Sequence, residues 1–236
     1  MLESRWRRAG AAAAAALLIL GCGGGGGGLA LGEAHSGQYH LGPVEWTGSF
    51  WNACAPYPAE VQSMEGQLLA GLSNELASTG NACDACLQIT TGLGKTIIVR
   101  AVTYGVANAP GDLDLSQAAF DQIHQGEYPR SMSWQFVTCP GSAPLYLQFQ
   151  AEANPDWTSF WVRNPRVPVD KVEVKSPHHA DFTALRRETD GTFNDGGGFG
   201  AGAFTLRVTG INGGQVEPSF PGFTGGALLA APANLP

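Results

Sequence analysis

From about residue 37 the chain alternates short apolar stretches with Gly, Pro and Asn, and it rarely sustains a helical period. Thr96 to Thr103 (TIIVRAVT) is β-branched and apolar, the composition of a buried strand. Leu87 to Thr91 precedes it across Gly92-Leu93-Gly94-Lys95, which predicts a hairpin. Ser131 to Val137 sets Met132, Trp134 and Phe136 against Ser131, Ser133 and Gln135, the two-residue alternation of a half-buried strand. One segment follows the other period. In Ser116 to Ile123 the residues Ala119, Phe120 and Ile123 share a helical face, and Ser116 is a suitable N-cap. Pro140 to Pro144 (PGSAP) reads as a linker. Beyond it, Tyr146 to Gln150, Thr158 to Arg163, Val169 to Val174, a stretch around Phe182, and Ala203 to Thr209 are short, alternating and bounded by turn residues, as in a β-sandwich. Glu217 to Pro236 is rich in Pro and Gly and predicts a tail that wraps the surface or frays. The expectation is a mainly β chain of two domains, residues 37–140 and 144–217, with a tail at 218–236.

The first residues change the picture by fixing a compartment. Arg5, Arg7 and Arg8 precede the apolar run Ala11 to Leu20. That run is shorter than the roughly 20 residues needed to cross a bilayer, so it reads as the apolar part of a signal peptide over residues 1–21. It ends in Ile19-Leu20-Gly21-Cys22, which resembles a bacterial lipobox. The resemblance implies cleavage before Cys22 and lipidation of its thiol. Gly23 to Gly28 then looks like the start of a flexible tether over residues 22–36. The chain is expected to be exported and to meet a membrane only through this anchor.

Of five cysteines, assigning Cys22 to lipid leaves Cys54, Cys83, Cys86 and Cys139. Four cysteines in an exported chain are most simply two disulfides. Cys83-x-x-Cys86 is also compatible with a zinc or redox site, but export disfavours it, and no metal or cofactor is expected. Composition narrows the partners. With 33 Gly, 15 Pro and 14% charged residues, the chain is turn-rich β structure. Its net charge of −7 argues against nucleic acid or an anionic membrane surface and favours a neutral ligand.

Several segments, taken in order, resemble the bacterial expansins. In the first domain they are Cys83-Asp84-Ala85-Cys86-Leu87-Gln88-Ile89-Thr90, Gly94-Lys95-Thr96-Ile97-Ile98-Val99-Arg100, Leu113-Asp114-Leu115-Ser116 with Ala119-Phe120, and Trp134 to Pro140 (WQFVTCP). In the second they are Phe160-Trp161-Val162-Arg163-Asn164, Val167-Pro168-Val169, and Phe182-Thr183-Ala184-Leu185-Arg186-Arg187 with Phe193. The resemblance implies a six-stranded double-psi β-barrel followed by an immunoglobulin-like β-sandwich similar to a family 63 carbohydrate-binding module. It also implies the pairs Cys54–Cys83 and Cys86–Cys139.

The same resemblance marks candidate site residues. Asp114 matches the groove carboxylate that expansins need for wall loosening. The family's second aspartate falls at Thr103 and its tyrosine at Gly105, so Tyr104 serves as the groove tyrosine only with a one-residue slip. The family's groove threonine falls at Glu45, with Thr47 as neighbour, and Asp112 is a further carboxylate near Asp114. In the second domain Trp157, Ser159 and Trp161 alternate on one strand face, with Phe160 and Val162 on the other. Exposed indoles stack on the C–H faces of sugars, which makes Trp157 and Trp161 candidates for carbohydrate binding. Trp157 matches a platform tryptophan of the family, while the platform tyrosine falls at Asp190.

The expected function is a monomer that binds cellulose or a related wall glucan, or peptidoglycan, and loosens non-covalent contacts without hydrolysis. A glycan-cleaving enzyme on the same barrel and a purely adhesive module are the alternatives. The anchoring expectation is tested directly: Cys22→Ala in a bacterial host should abolish labelling by a palmitate analogue and release the protein from membranes. A wild-type protein that is never labelled in a competent host contradicts it.

Overall fold

In the computed structural model of the chain, residues 29–42, 53–54, 68–73, 80–105 and 109–236 are described. The leader, Cys22, the oligoglycine run, Glu45 and Thr47 lie outside them. The apolar runs become strands where the alternation requires it. β1 (His35–Leu41), β2 (Leu69–Leu72), β3 (Cys86–Thr91), β4 (Thr96–Tyr104), β5 (Leu113–Leu115) and β6 (Ser131–Val137) close a barrel in the order β1-β5-β2-β4-β3-β6. Two of its ladders, β1 with β5 and β2 with β4, are parallel. This is the expected double-psi barrel. The expected hairpin is β3–β4, with Thr90 opposite Thr96. Leu87, Ile89, Val99, Trp134 and Phe136 fill the interior. The helix α1 (Gln117–Ile123) buries Ala119, Phe120 and Ile123, and the Ser116 hydroxyl accepts from the Ala119 amide.

The second domain is a β-sandwich. One sheet pairs β10 (His179–Ala184), β9 (Val169–Ser176), β13 (Phe204–Gly210) and β14 (Gln215–Val216), with β15 (Ser219–Phe220) also on β13. The other orders β11 (Arg186–Arg187), β12 (Phe193–Asp195), β8 (Thr158–Arg163), β7 (Tyr146–Phe149) and β16 (Leu228–Ala230). Phe149, Phe160, Phe199, Phe204 and Leu206 pack between them.

Two expected boundaries change. The tether does not extend to residue 36: Leu31 bridges Phe136, and β1 starts at His35. Nor is the C-terminal segment a loose tail. β16 pairs with β7, Phe223 stacks on Phe149 at 4.2 Å, and Leu235 is fully buried. The Pro and Gly content suggested a tail that wraps the surface or frays, but the interspersed apolar residues complete the sandwich core, and burying them outweighs the turn-forming bias of their neighbours.

Both cysteine pairs form as the resemblance implied, Cys54–Cys83 and Cys86–Cys139, at sequence separations of 29 and 53. Loops of this size correspond to about 4 kcal/mol each in the chain-entropy model.

A buried polar cluster joins the domains. Asp84, in the left-handed region at φ 66, receives Arg163 Nη1 on Oδ2 at 2.8 Å. Its carbonyl accepts Arg100 Nη1 at 2.7 Å. Arg163 also donates to the Cys54 carbonyl and to Gln148 Oε1, each at 2.7 Å. Arg100 reaches Asn164 Oδ1 at 3.0 Å. The turn between β11 and β12 seals the edge of this junction. Gly191, at φ +83, approaches so closely that a Cβ there would lie 2.8 Å from Cys83 Sγ.

Removing one partner from a buried ion pair leaves a charge without compensation, at a cost of about 3–5 kcal/mol. Asp84→Ala should therefore lower the unfolding free energy by that amount and the urea midpoint accordingly, while Asp181→Ala, on an exposed strand position, leaves both unchanged. Equal midpoints for wild type and Asp84→Ala contradict this account of the junction.

Candidate functional site

The ladders of the barrel bring four residues into one row. His40 is the register partner of Asp114, Asp114 of Gly71, and Gly71 of Thr103, across β1, β5, β2 and β4. Register partners stand on the same side of a sheet, so Asp114 has His40 on one flank and, beyond the bare Gly71, Thr103 on the other. β5 alternates: Leu113 and Leu115 are fully buried in the core and Asp114 is half-buried on the opposite side.

The electrostatics of the row follow from burial. Desolvation is the largest influence on Asp114 and raises its pKa above the ordinary aspartate value. The nearby Asp112 adds to the rise, and His40 opposes it. Asp112 is not open to a ligand. It is 7% exposed, its Oδ1 accepts the Gln38 amide at 2.8 Å, and its Oδ2 lies 3.2 Å from His40 Nε2. Thr103 is equally committed, its hydroxyl accepting the Ala53 amide at 3.0 Å. Tyr104 is half-buried at the rim, and its hydroxyl donates to the Thr189 carbonyl at 2.5 Å. It therefore bridges to the second domain and does not stand over Asp114. Glu45 and Thr47 lie outside the described residues.

Trp157 precedes β8 on a tight turn. Asn154 Oδ1 accepts the Asp156 and Trp157 amides at 3.0 and 3.1 Å, and Asn154 and Trp157 exchange both backbone hydrogen bonds. The glycine-rich segment after β12 clamps the tip of this turn. Gly198, at φ +68, sits where a Cβ would be 2.1 Å from the Pro155 carbonyl. Trp157 is left half-buried, with part of its surface accessible.

Trp161 is not the exposed platform that the alternation suggested. It does share an outward face with Ser159, but that face is covered at this point. Its indole N–H donates to the Asp190 carbonyl at 3.0 Å, and the Arg163 guanidinium lies 4.9 Å over its ring, leaving 5% exposure. What remains accessible is an edge of a 410 Å³ recess shared with Gln148, Gln150, Glu152 and Gly226. Asp190 itself shapes the turn, its carboxylate accepting the Thr192 amide and hydroxyl.

The sequence reasoning missed His40 and the two glutamines. The alternation of His35 to Leu41 puts Gln38 and His40 on one side, a signal available only once β1 is known to lie beside β5. The arrangement supplies hydrogen-bonding groups on the barrel and a ring face and amides on the sandwich. Among the described residues it brings no second solvent-facing carboxylate to Asp114, whereas inverting glycoside hydrolysis needs two flanking the bond.

No family model matches the chain. Two curated relatives are Expansin-like protein 6 and Expansin-like protein 3 of Dictyostelium discoideum. The first is 26% identical over 164 residues, covering 66% of this chain and 56% of the relative. The second is 26% identical over 161 residues, covering 65% and 47%. The chain thus spans about half the length of these relatives. Among solved structures, the apo expansin of Clavibacter michiganensis superposes with a TM-score of 0.72 at 20% identity over 86% of this chain and 98% of the other. A point mutant of that expansin in complex with cellohexaose gives 0.71 at 18% identity with the same coverage.

The raised pKa of Asp114 has a consequence for stability. A carboxyl whose folded pKa lies above its unfolded value binds more protons when folded, so stability falls as pH rises through that window. Asp114→Asn should leave stability unchanged at pH values below the unfolded aspartate pKa and increase it at neutral pH. A denaturation series across pH that shows Asp114→Asn less stable at neutral pH contradicts the assigned burial.

Proposed function

We propose that this chain, expansin-like in both sequence and fold, binds a neutral β-linked wall glucan such as cellulose outside the cell and loosens non-covalent contacts between glycan chains without cutting them. The observation that carries this reading is Asp114, half-buried beside His40 in a row across the barrel strands, with its neighbouring carboxylate Asp112 already occupied by Gln38 and His40. Such a carboxyl exchanges hydrogen bonds with sugar hydroxyls, and among the described residues it has no second solvent-facing carboxylate of the kind hydrolysis requires. The cellohexaose complex of the similar Clavibacter expansin supports the choice of a β-glucan. Trp157 is the stacking platform on the second domain, and the recess beside Gln148 and Gln150 supplies amide contacts. The lipidated Cys22 and the glycine run behind it hold the pair of domains at the envelope surface as a monomer.

The two domains have different tasks. Trp157 provides most of the affinity, because ring stacking on an extended insoluble ligand buries apolar area at every contact. Asp114 acts on the chain once it is held. In isotherms on insoluble cellulose, Trp157→Ala should weaken binding about thirtyfold, the usual loss of a well-used aromatic anchor. Asp114→Ala should change retention only slightly, since the barrel is the minor contributor to affinity. Affinity should change little between low and high salt, since stacking is not screened. Steep salt dependence, or full affinity in Trp157→Ala, contradicts the proposal.

A further inference from the structure

The chain has five histidines, and four of them are engaged within the fold. His35 stacks on Trp134 at 4.3 Å between ring centroids. His124 contacts the Tyr39 hydroxyl and Glu127. His178 Nδ1 meets the Gly197 and Gly198 carbonyls, and His179 is held between Ser176 and Asp195. His40 differs. Its Nε2 lies 3.2 Å from Asp112 Oδ2, and its Nδ1 makes no hydrogen bond among the described residues. The side chain is 35% exposed against 9% for that of Asp112, so the imidazole is the part of this pair that meets solvent. It stands beside Asp114 in the row, register partner to register partner.

This geometry gives each member a role. The Gln38 amide fixes the Asp112 carboxylate through Oδ1, and Oδ2 of the carboxylate in turn accepts a hydrogen bond from the His40 Nε2–H. A neutral imidazole with its proton on Nε2 presents Nδ1 as an acceptor. Adjacent strands are about 4.8 Å apart, which sets His40 and Asp114 within reach of neighbouring hydroxyls on one sugar. The titratable groups facing His40 from the described elements packed on it are Asp112 and Asp114. The β2 strand contributes none, and Arg130, next to β6, points to the Phe120 ring instead.

We propose that His40 is the second glycan-gripping residue of the barrel, oriented by Asp112 so that Nδ1 accepts a sugar hydroxyl while Asp114 engages its neighbour. The inference rests on the polysaccharide-binding reading and adds a contact to it. Asp112 is a positioning residue, acting through the imidazole.

The test is nitrogen NMR of the full chain labelled at histidine and at the tryptophan indoles, titrated with cellohexaose. The His40 Nδ1 resonance should move saturably while His35, His124, His178 and His179 stay fixed, and the Trp157 indole should move with it. Asp112→Asn should leave the Trp157 response in place and weaken the His40 response about tenfold, the scale of one hydrogen bond lost from an oriented group. His40→Gln, which retains a donor and an acceptor, should preserve wall-weakening activity that His40→Ala loses. A Trp157 response with a motionless His40 overturns this inference and leaves the binding reading standing. If neither resonance moves, the binding reading fails and the inference fails with it.

Discussion

A single buried carboxylate, Asp84, sets the relation between the two domains, and the rest of the surface depends on it. Two guanidinium groups, from Arg100 of the barrel and Arg163 of the sandwich, converge on this residue with 1% and 0% of their side chains exposed. Such a cluster is tolerable only if nearly every donor finds an acceptor, because desolvating each ion costs several kcal/mol. The chain meets that requirement with covalent help. Cys83 precedes Asp84, and the bridge to Cys54 brings the Cys54 carbonyl beside the carboxylate as a second acceptor for Arg163. The disulfide therefore does more than shorten the unfolded chain: it assembles the socket into which the second domain plugs.

That socket dictates which aromatic is free to meet a ligand. Arg163 and Trp161 lie on the same face of β8, and drawing Arg163 into the barrel covers Trp161 with the guanidinium and with the Asp190 turn. Trp157, two alternations further from the junction and mounted on its own turn, keeps part of its surface accessible. On the barrel side Tyr104 is likewise absorbed, its hydroxyl spent on Thr189. Among the described residues of the candidate site, Asp114 and His40 remain accessible on one domain and Trp157 with the glutamine-lined recess on the other. Asp114 is held in its row against a desolvation penalty, the local conflict expected where a fold gives up stability for a site.

Much of the fold was legible in the sequence because local signals were strong. The β3–β4 hairpin, the alternation of β6 and the Ser116 cap each follow from side-chain period or capping chemistry within a few residues. β2 was missed: four residues buried on both faces carry no alternation to detect. The tail was misjudged because Pro and Gly mark turns as well as loose ends, and only the partner strand β7 reveals that Leu228–Ala230 is an edge strand. Trp161 was misjudged for a related reason. Periodicity assigns a side chain to a face of its strand, but it does not show what covers that face. His40 lay beyond reach until the parallel β1–β5 register set it beside Asp114, since a contact across 72 residues from His40 to Asp112 leaves no local trace.

The central claim is that this molecule weakens a glucan network by holding its chains and not by breaking them. Cellulose paper under constant load, treated with the full chain and then assayed on the same strip for newly formed reducing ends, tests that claim most directly. The account predicts faster extension with end groups no more numerous than in untreated paper. New reducing ends that rise in proportion to the extension would contradict it.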